Sequence, residues 1–528
     1  MHRRQFLDQL SRRAAALALG SLFAAPAWRP LARAATVTPG PQDPFTLGIA
    51  SGMPRPDSIV LWTRLAPRPQ EPGAGLAPQP IAVRWELAED ERFSRGVRSG
   101  EVVALPEHAH SVHVEVRGLA PAAGFFYRFI AGDHSSPTGR TRTAPAQDAR
   151  VERLRLALAS CQHYEQGAYV AHREIAAREL DAVLFVGDYI YESSNPRLRL
   201  RPHEGPAPLT LDQYRARHAT YKGDADLRAA HAAHPWVVTW DDHEVENDYA
   251  GDHSPSGLDV PAFLNRRAAA YKAYFEHMPV SPSMAPAGPA MRIHDRFVWG
   301  RLAEWWTLDN RQFRDVQACP DARGAGGRVL TGCDELEAAS RSIWGAAQER
   351  WLKDGLAASR RRWKLLAQGT QICPAGIDTP HGRRIFSDGW DGYPQARERL
   401  LRSIADARLA DVLCLGGDVH RHVAANLRVH GNDERSPVVA SEFVCGSVTS
   451  RGTTEATMAA IRRDNPDIVH GRGDEHGYAL LEITPQSATC DFRGTPFPVA
   501  PDATLHSQGK FAVESGRAGV VAMRGTTP

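Results

Sequence analysis

From Thr46 to Gly132, apolar and polar positions alternate in short runs. TLGIASG (46–52), SIVLWTRL (58–65), IAVRWELA (81–88), SVHVEVRGL (111–119) and FFYRFIAG (125–132) each carry the two-residue period of a half-buried strand, with Pro, Gly and Asp turns between them. This pattern predicts an all-β sandwich domain over 35–145. Beyond the polar link APAQDARVER (144–153) the pattern changes to longer apolar runs: LRLALAS (154–160), AVLFVGD (182–188), WVVTWDD (236–242), RLAEWWTLDNR (301–311), WKLLAQG (363–369) and VLCLGGDVH (412–420). Helical segments separate them. In AYVAHREIAAREL (168–180), for example, Ala168, Ala171, Ile175 and Leu180 can face a sheet. Strands alternating with helices predict β-α-β units in a layered α/β domain, which we place over 150–495. The remaining 496–528 is Gly-rich, shows no amphipathic period and is assigned to a C-terminal tail.

Composition narrows the partners. The chain has 528 residues, and its 63 basic and 61 acidic side chains leave a net charge of +2, too little for a bulk field that would attract nucleic acid or an anionic membrane. The N-terminus MHRRQFL pairs Arg3 with Arg4 ahead of an apolar stretch, and Ala32-Arg33-Ala34 fits the small-x-small rule for cleavage. Residues 1–34 therefore read as a twin-arginine export signal, with the twin-arginine machinery as partner and a mature chain beginning near Ala35 in the periplasm or outside the cell. A membrane anchor is the competing reading, but Pro26, Arg29 and Pro30 interrupt the run, and no later segment is long enough to span a bilayer. The mature chain is expected to be a monomer without an anchor. Its seven cysteines are an odd number: Cys319 and Cys333 flank a Gly-rich loop and suit a local disulfide, while Cys161 stands apart.

Candidate chemistry collects where the apolar runs stop. Ser160-Cys161, Asp188 with Tyr191, Asp241-Asp242-His243-Glu244, Asp309 with Arg311, and Asp418 with His420 each follow the carboxyl end of a run, where ligands bind in α/β sheets. Taken singly, Asp188 suits a helix cap, Tyr191 a core aromatic, Cys161 a small buried hydrophobe, and Arg311 an ion pair with Asp309. Taken together, carboxylates, imidazoles, a thiol and a phenol converge at acceptable cost only if they share cations, because unpaired buried carboxylates repel and resist desolvation.

GDYIYE (187–192), WDDHE (240–244) and GGDVH (416–420) resemble the metal-binding blocks of the binuclear metallophosphoesterases, in the form typical of the PhoD family of alkaline phosphatases. SCQ (160–162), LDNRQFR (308–314), DGWDGYPQAR (388–397) and SEFVCGSVTS (441–450) resemble that family too, and GLAPAAGFFYRFIAG (118–132) is similar to a corner and strand of a fibronectin type III module. The resemblance implies an α/β fold: a layered β-sandwich catalytic domain behind an N-terminal fibronectin III-like sandwich. It also implies Fe³⁺ held by Cys161, Asp188, Tyr191 and His420. Asp188 would bridge to a second site where Asp242 and Asp418 hold Ca²⁺, since all-oxygen surroundings select hard cations whereas imidazoles favour Zn²⁺.

The implied activity is hydrolysis of phosphate esters by a hydroxide that the metals activate. Arg311 is expected to fork the equatorial phosphoryl oxygens, and His243 to orient the phosphate or protonate the leaving oxygen. Two rival readings remain at this stage: a purple acid phosphatase-like hydrolase with a different second metal such as Zn²⁺, and a non-catalytic extracytoplasmic protein that binds metal or phosphate.

Overall fold

The computed structural model describes residues 37–194, 199–203, 205–322 and 324–523, so the proposed export signal lies outside the described residues. All six long apolar runs form strands: Leu154–Ala159, Ala182–Val186, Pro235–Thr239, Ala303–Thr307, Trp363–Ala367 and Val412–Gly416. The first three run parallel within one ten-stranded sheet, and the last three run parallel within a seven-stranded sheet. Consecutive side chains explain why these runs are largely apolar. Trp305, Leu365, Leu413 and Leu415 point into the core shared with the ten-stranded sheet, while Trp306, Leu366 and Cys414 point to the opposite face. There they meet Leu352 and Leu356 of the Gly345–Ala358 helix and Leu400 and Ile404 of the Pro394–Asp406 helix. A parallel strand covered on both faces needs no polar side.

The N-terminal runs also become strands. Ile81–Ala88 and Gly124–Ala131 belong to a five-stranded sheet, together with Arg98–Ala104, whose largely exposed residues left no apolar alternation to detect. This sheet shares a core with Ile49–Gly52, Ser58–Arg64 and Ser111–Arg117, through Ile59, Leu61, Val83, Leu87, Phe125 and Phe129. The sandwich is not a free-standing accessory, however. Its second face is the end of the ten-stranded sheet, where Ile49–Gly52 runs parallel to Pro235–Thr239 with Ser51 opposite Pro235.

The segment assigned to a tail extends the same sheet at its other end. His506–Glu514 pairs antiparallel with Ser487–Pro496, and Phe511 and Val513 are buried. The alternation there covers too few residues to stand out from the surrounding glycines. The Val170–Ala177 helix is shorter than the predicted segment; Leu180 lies beyond its end and is nevertheless buried. Cys319 and Cys333 form the expected disulfide, and the other five cysteines are free and buried. Among the described residues no helix is long and apolar enough to cross a membrane.

Candidate metal centre

The parallel strands of both sheets present their carboxyl ends to one place, and the chain turns sharply there. Cys161, Asp188, Asp418 and His420 all have positive φ, between 50° and 64°. Left-handed backbone at a non-glycine residue costs on the order of 1–3 kcal/mol, and a β-strand that must turn its next side chain inward has few other ways to do so. Two glycines permit the approach. A Cβ on Gly187 would sit 2.6 Å from Cβ of Asp241, and one on Gly417 would sit 2.4 Å from Oγ of Ser160, so each strand end is pressed against a neighbour's. The buried Glu244 carboxylate ties two ends together, accepting from the backbone N–H groups of Asp188 (3.2 Å), Tyr189 (2.6 Å) and Asp241 (2.9 Å).

One ligand group is Cys161, Asp188 and His420, whose Sγ, carboxylate oxygen and ring nitrogen all lie within 4.8 Å of one another. Tyr191 completes it: its hydroxyl donates to Asp188 Oδ2 at 3.0 Å, lies 3.1 Å from His420 Nε2 and accepts from Ser450 Oγ at 2.8 Å. The backbone carbonyl of Arg451 faces His420 Nδ1 at 2.9 Å, which leaves Nε2 directed inward. The Tyr191 ring lies between the His163 and His243 rings, at centroid distances of 4.4 and 4.0 Å. Burial, reinforced by the neighbouring Asp188 carboxylate, pushes the Cys161 thiol and the Tyr191 phenol well above their ordinary values. Asp188 is raised as well, first by burial and then by Asp242, Asp241 and Glu244. A bound cation would favour the deprotonated form of each.

Two further groupings share Asp242. One contains Asp188, Asp242 and His243, the other Asp242, Asp248 and Asp388. Oδ1 of Asp188 and Oδ1 of Asp242 are buried without a hydrogen-bond partner, although Arg311 Nη2 lies 3.6 Å from the latter. Orphaned carboxylate oxygens at the centre of acidic groupings suit cation ligands, so the residues present fit a metal centre. Burial raises Asp241 to about 7 and Asp418 to about 6. The predicted partnership of Asp242 with Asp418 is not drawn as tightly: Asp418 falls outside these groupings, and its Oδ2 accepts from Thr370 Oγ1 at 2.6 Å. His243 Nδ1 pairs with Glu192 Oε2 at 2.7 Å. Burial opposes a charge on His243, but Glu192, Asp242 and Asp188 outweigh it and hold the imidazole well above its ordinary value.

Arg311 sits among the acidic side chains of the centre. It is fully buried, its Nε and Nη2 donate to both oxygens of Asp241, and its Nη1 reaches Asp388 at 2.8–3.0 Å. Asp309 does not pair with the guanidinium; its Oδ1 accepts the backbone N–H of Arg311 at 3.0 Å. With its fork on Asp241 and Asp388 and its Nη2 also 3.6 Å from Asp242 Oδ1, Arg311 orients acidic side chains.

Sequence reading passed over several residues that build this site. Asp388 opens the quoted block DGWDGYPQAR and holds Arg311, Arg314 and Gln317. Ser450 closes SEFVCGSVTS and donates to Tyr191. Glu192 ends GDYIYE. Each lay inside a recognised block without being singled out, whereas His163, Asp248 and Thr370 carried no signal.

A model of PhoD-like phosphatases matches residues 156–492, and a model of the N-terminal domain of PhoD-like phosphatases matches 31–145. The chain is 42% identical to alkaline phosphatase D of Bacillus subtilis (strain 168) over 492 residues, which cover 92% of this chain and 83% of that protein. A solved structure of PhoD superposes with a TM-score of 0.88 at 42% identity, covering 92% of this chain and 93% of the other.

Proposed function

Since this chain belongs to the PhoD-like phosphatase family and is therefore a phosphoric ester hydrolase, we propose that it is an exported, metal-dependent alkaline phosphatase or phosphodiesterase whose centre holds Fe³⁺ and Ca²⁺. The observation that carries this reading is the meeting of Cys161, Asp188, Tyr191 and His420, with the second carboxylate oxygen of Asp188 buried without a hydrogen-bond partner. A thiol, a phenol, a carboxylate and an imidazole together suit a trivalent iron, and the acidic residues around Asp242 and Asp418 suit calcium. Bound cations would supply the Lewis acidity and the acidified water that attack on phosphorus requires.

The chain's own residues do the rest. Asp188 faces both the thiol-phenol group and Asp242, which suits it to bridge two cations. Glu192 occupies Nδ1 of His243, leaving Nε2 as the remaining donor beside Asp188 and Asp242, where a charged imidazole can hold a phosphoryl oxygen or give a proton to the leaving oxygen. Arg311 acts as a positioning residue for Asp241 and Asp388.

Treatment with EGTA is expected to abolish hydrolysis of p-nitrophenyl phosphate and its bis-ester reversibly. Ca²⁺ should restore it better than Mg²⁺, with iron still bound. Restoration by Zn²⁺ alone would favour the purple acid phosphatase-like arrangement instead.

A further inference from the structure

A cavity of about 610 Å³ opens beside the centre, with Asp418 and His420 in its wall. Three arginines line it, Arg384, Arg421 and Arg451, and none pairs with a carboxylate among the described residues. Arg421 follows His420 directly and donates only to neutral oxygens, Gln371 Oε1 at 2.8 and 3.1 Å and Thr453 Oγ1 at 3.4 Å. Arg384 and Arg451 are exposed, and their guanidinium groups have no hydrogen-bond partner among the described residues. The acidic wall residue other than Asp418 is Asp391, whose carboxylate is taken by Arg397 at 2.7 Å and the Ala375 N–H at 2.9 Å. Beside the arginines stand Val329 and Phe386, 62% and 52% exposed, unusual for large apolar side chains in so well-packed a chain.

Unpaired guanidinium groups and a wetted apolar wall side by side are features of a binding surface, because each is better satisfied by a ligand than by water. We propose that this cavity is the leaving-group subsite, and that it selects phosphate esters whose alcohol portion carries a second anionic group beyond a short apolar or sugar-like body. The inference rests on the phosphoesterase reading of the adjacent centre. The phosphoryl group would sit at Asp418 and His420, and the distal anion would be received by the arginines. Arg451 is tied to the centre through its backbone carbonyl on His420 Nδ1.

The test uses the metal-loaded full chain and three series of alkyl monophosphates of matched length, ending in a carboxylate, a hydroxyl or an ammonium. At the optimal length, kcat/KM for the carboxylate-ended ester should exceed that of the hydroxyl-ended one by about tenfold, roughly one charge-assisted contact. The ammonium-ended ester should fall below both. The advantage should reside mainly in KM and shrink in high salt. Arg384→Gln and Arg451→Gln should each bring the carboxylate-to-hydroxyl ratio toward one; Arg384 is the control for any disturbance of His420 through residue 451. Equal kcat/KM for the three endings at every length, or a ratio unchanged in both variants, overturns the subsite while leaving the phosphoesterase intact. If none of the esters and no p-nitrophenyl phosphate is turned over, the underlying reading fails and the subsite with it.

Discussion

The hydroxyl of Tyr191 donates to Oδ2 of Asp188 at 3.0 Å, three residues back along the chain. The contact depends on the left-handed backbone at Asp188, which turns the strand's next carboxylate inward and brings the following phenol over it. Oδ1 of the same carboxylate stays buried without a hydrogen-bond partner, and Asp188 also belongs to the grouping with Asp242 and His243. One side chain thus serves two neighbourhoods, and the account of the centre rests on it.

Arg311→Ala should abolish activity and also destabilise the fold, because it leaves Asp241 and Asp388 buried without their shared cation, a loss of about 3–5 kcal/mol. Arg311→Lys should recover part of the stability and little of the activity, since an ammonium cannot fork Asp241 while reaching Asp388. Thermal midpoints measured beside turnover separate this from a substrate-binding arginine, which would lose activity with an unchanged midpoint.

Glu192→Gln should weaken hydrolysis most at high pH. If cations neutralise Asp188 and Asp242, Glu192 is the remaining partner that favours the charged form of His243. Removing its charge lowers the imidazole's pKa, so the alkaline limb of the pH–kcat profile should move to lower pH. A limb that stays in place would detach His243 from the proton-dependent step.

Lys222 provides a pH test away from the centre. It is buried, its ammonium lies 4.2 Å from the Trp62 ring, and burial lowers its pKa to about 7. An unfolded lysine titrates near 10.5, so between about 7 and 10.5 the unfolded chain binds the extra proton and stability rises with pH. Lys222→Met should therefore be more stable than the parent near pH 7, and the gap between their thermal midpoints should close toward pH 10. A gap that does not vary with pH would mean that the ammonium is not strained by burial.

The six apolar runs were legible because both faces of each strand are covered, and Cys319–Cys333 was legible because the loop between the two cysteines is short. Asp188 and Tyr191 stood out because polar groups ended an apolar run. The partners of these groups were not legible. Glu192 meets His243 across 51 residues and Asp388 meets Arg311 across 77, and no local period couples positions so far apart. The plain pairing of Arg311 with Asp309 does not form, because proximity in sequence says nothing about Asp241 on the facing sheet.

The most direct test of the centre is the visible spectrum of the purified protein, recorded with its elemental content. Stoichiometric iron and calcium are expected, with a broad charge-transfer band from phenolate on Fe³⁺ and a second, thiolate-derived transition from Cys161. Tyr191→Phe should remove most of the colour, and Cys161→Ser should shift it and weaken iron retention. Protein that carries stoichiometric metal yet stays colourless under oxidising conditions would contradict iron ligation by Tyr191, and Asp188 would then bridge other cations.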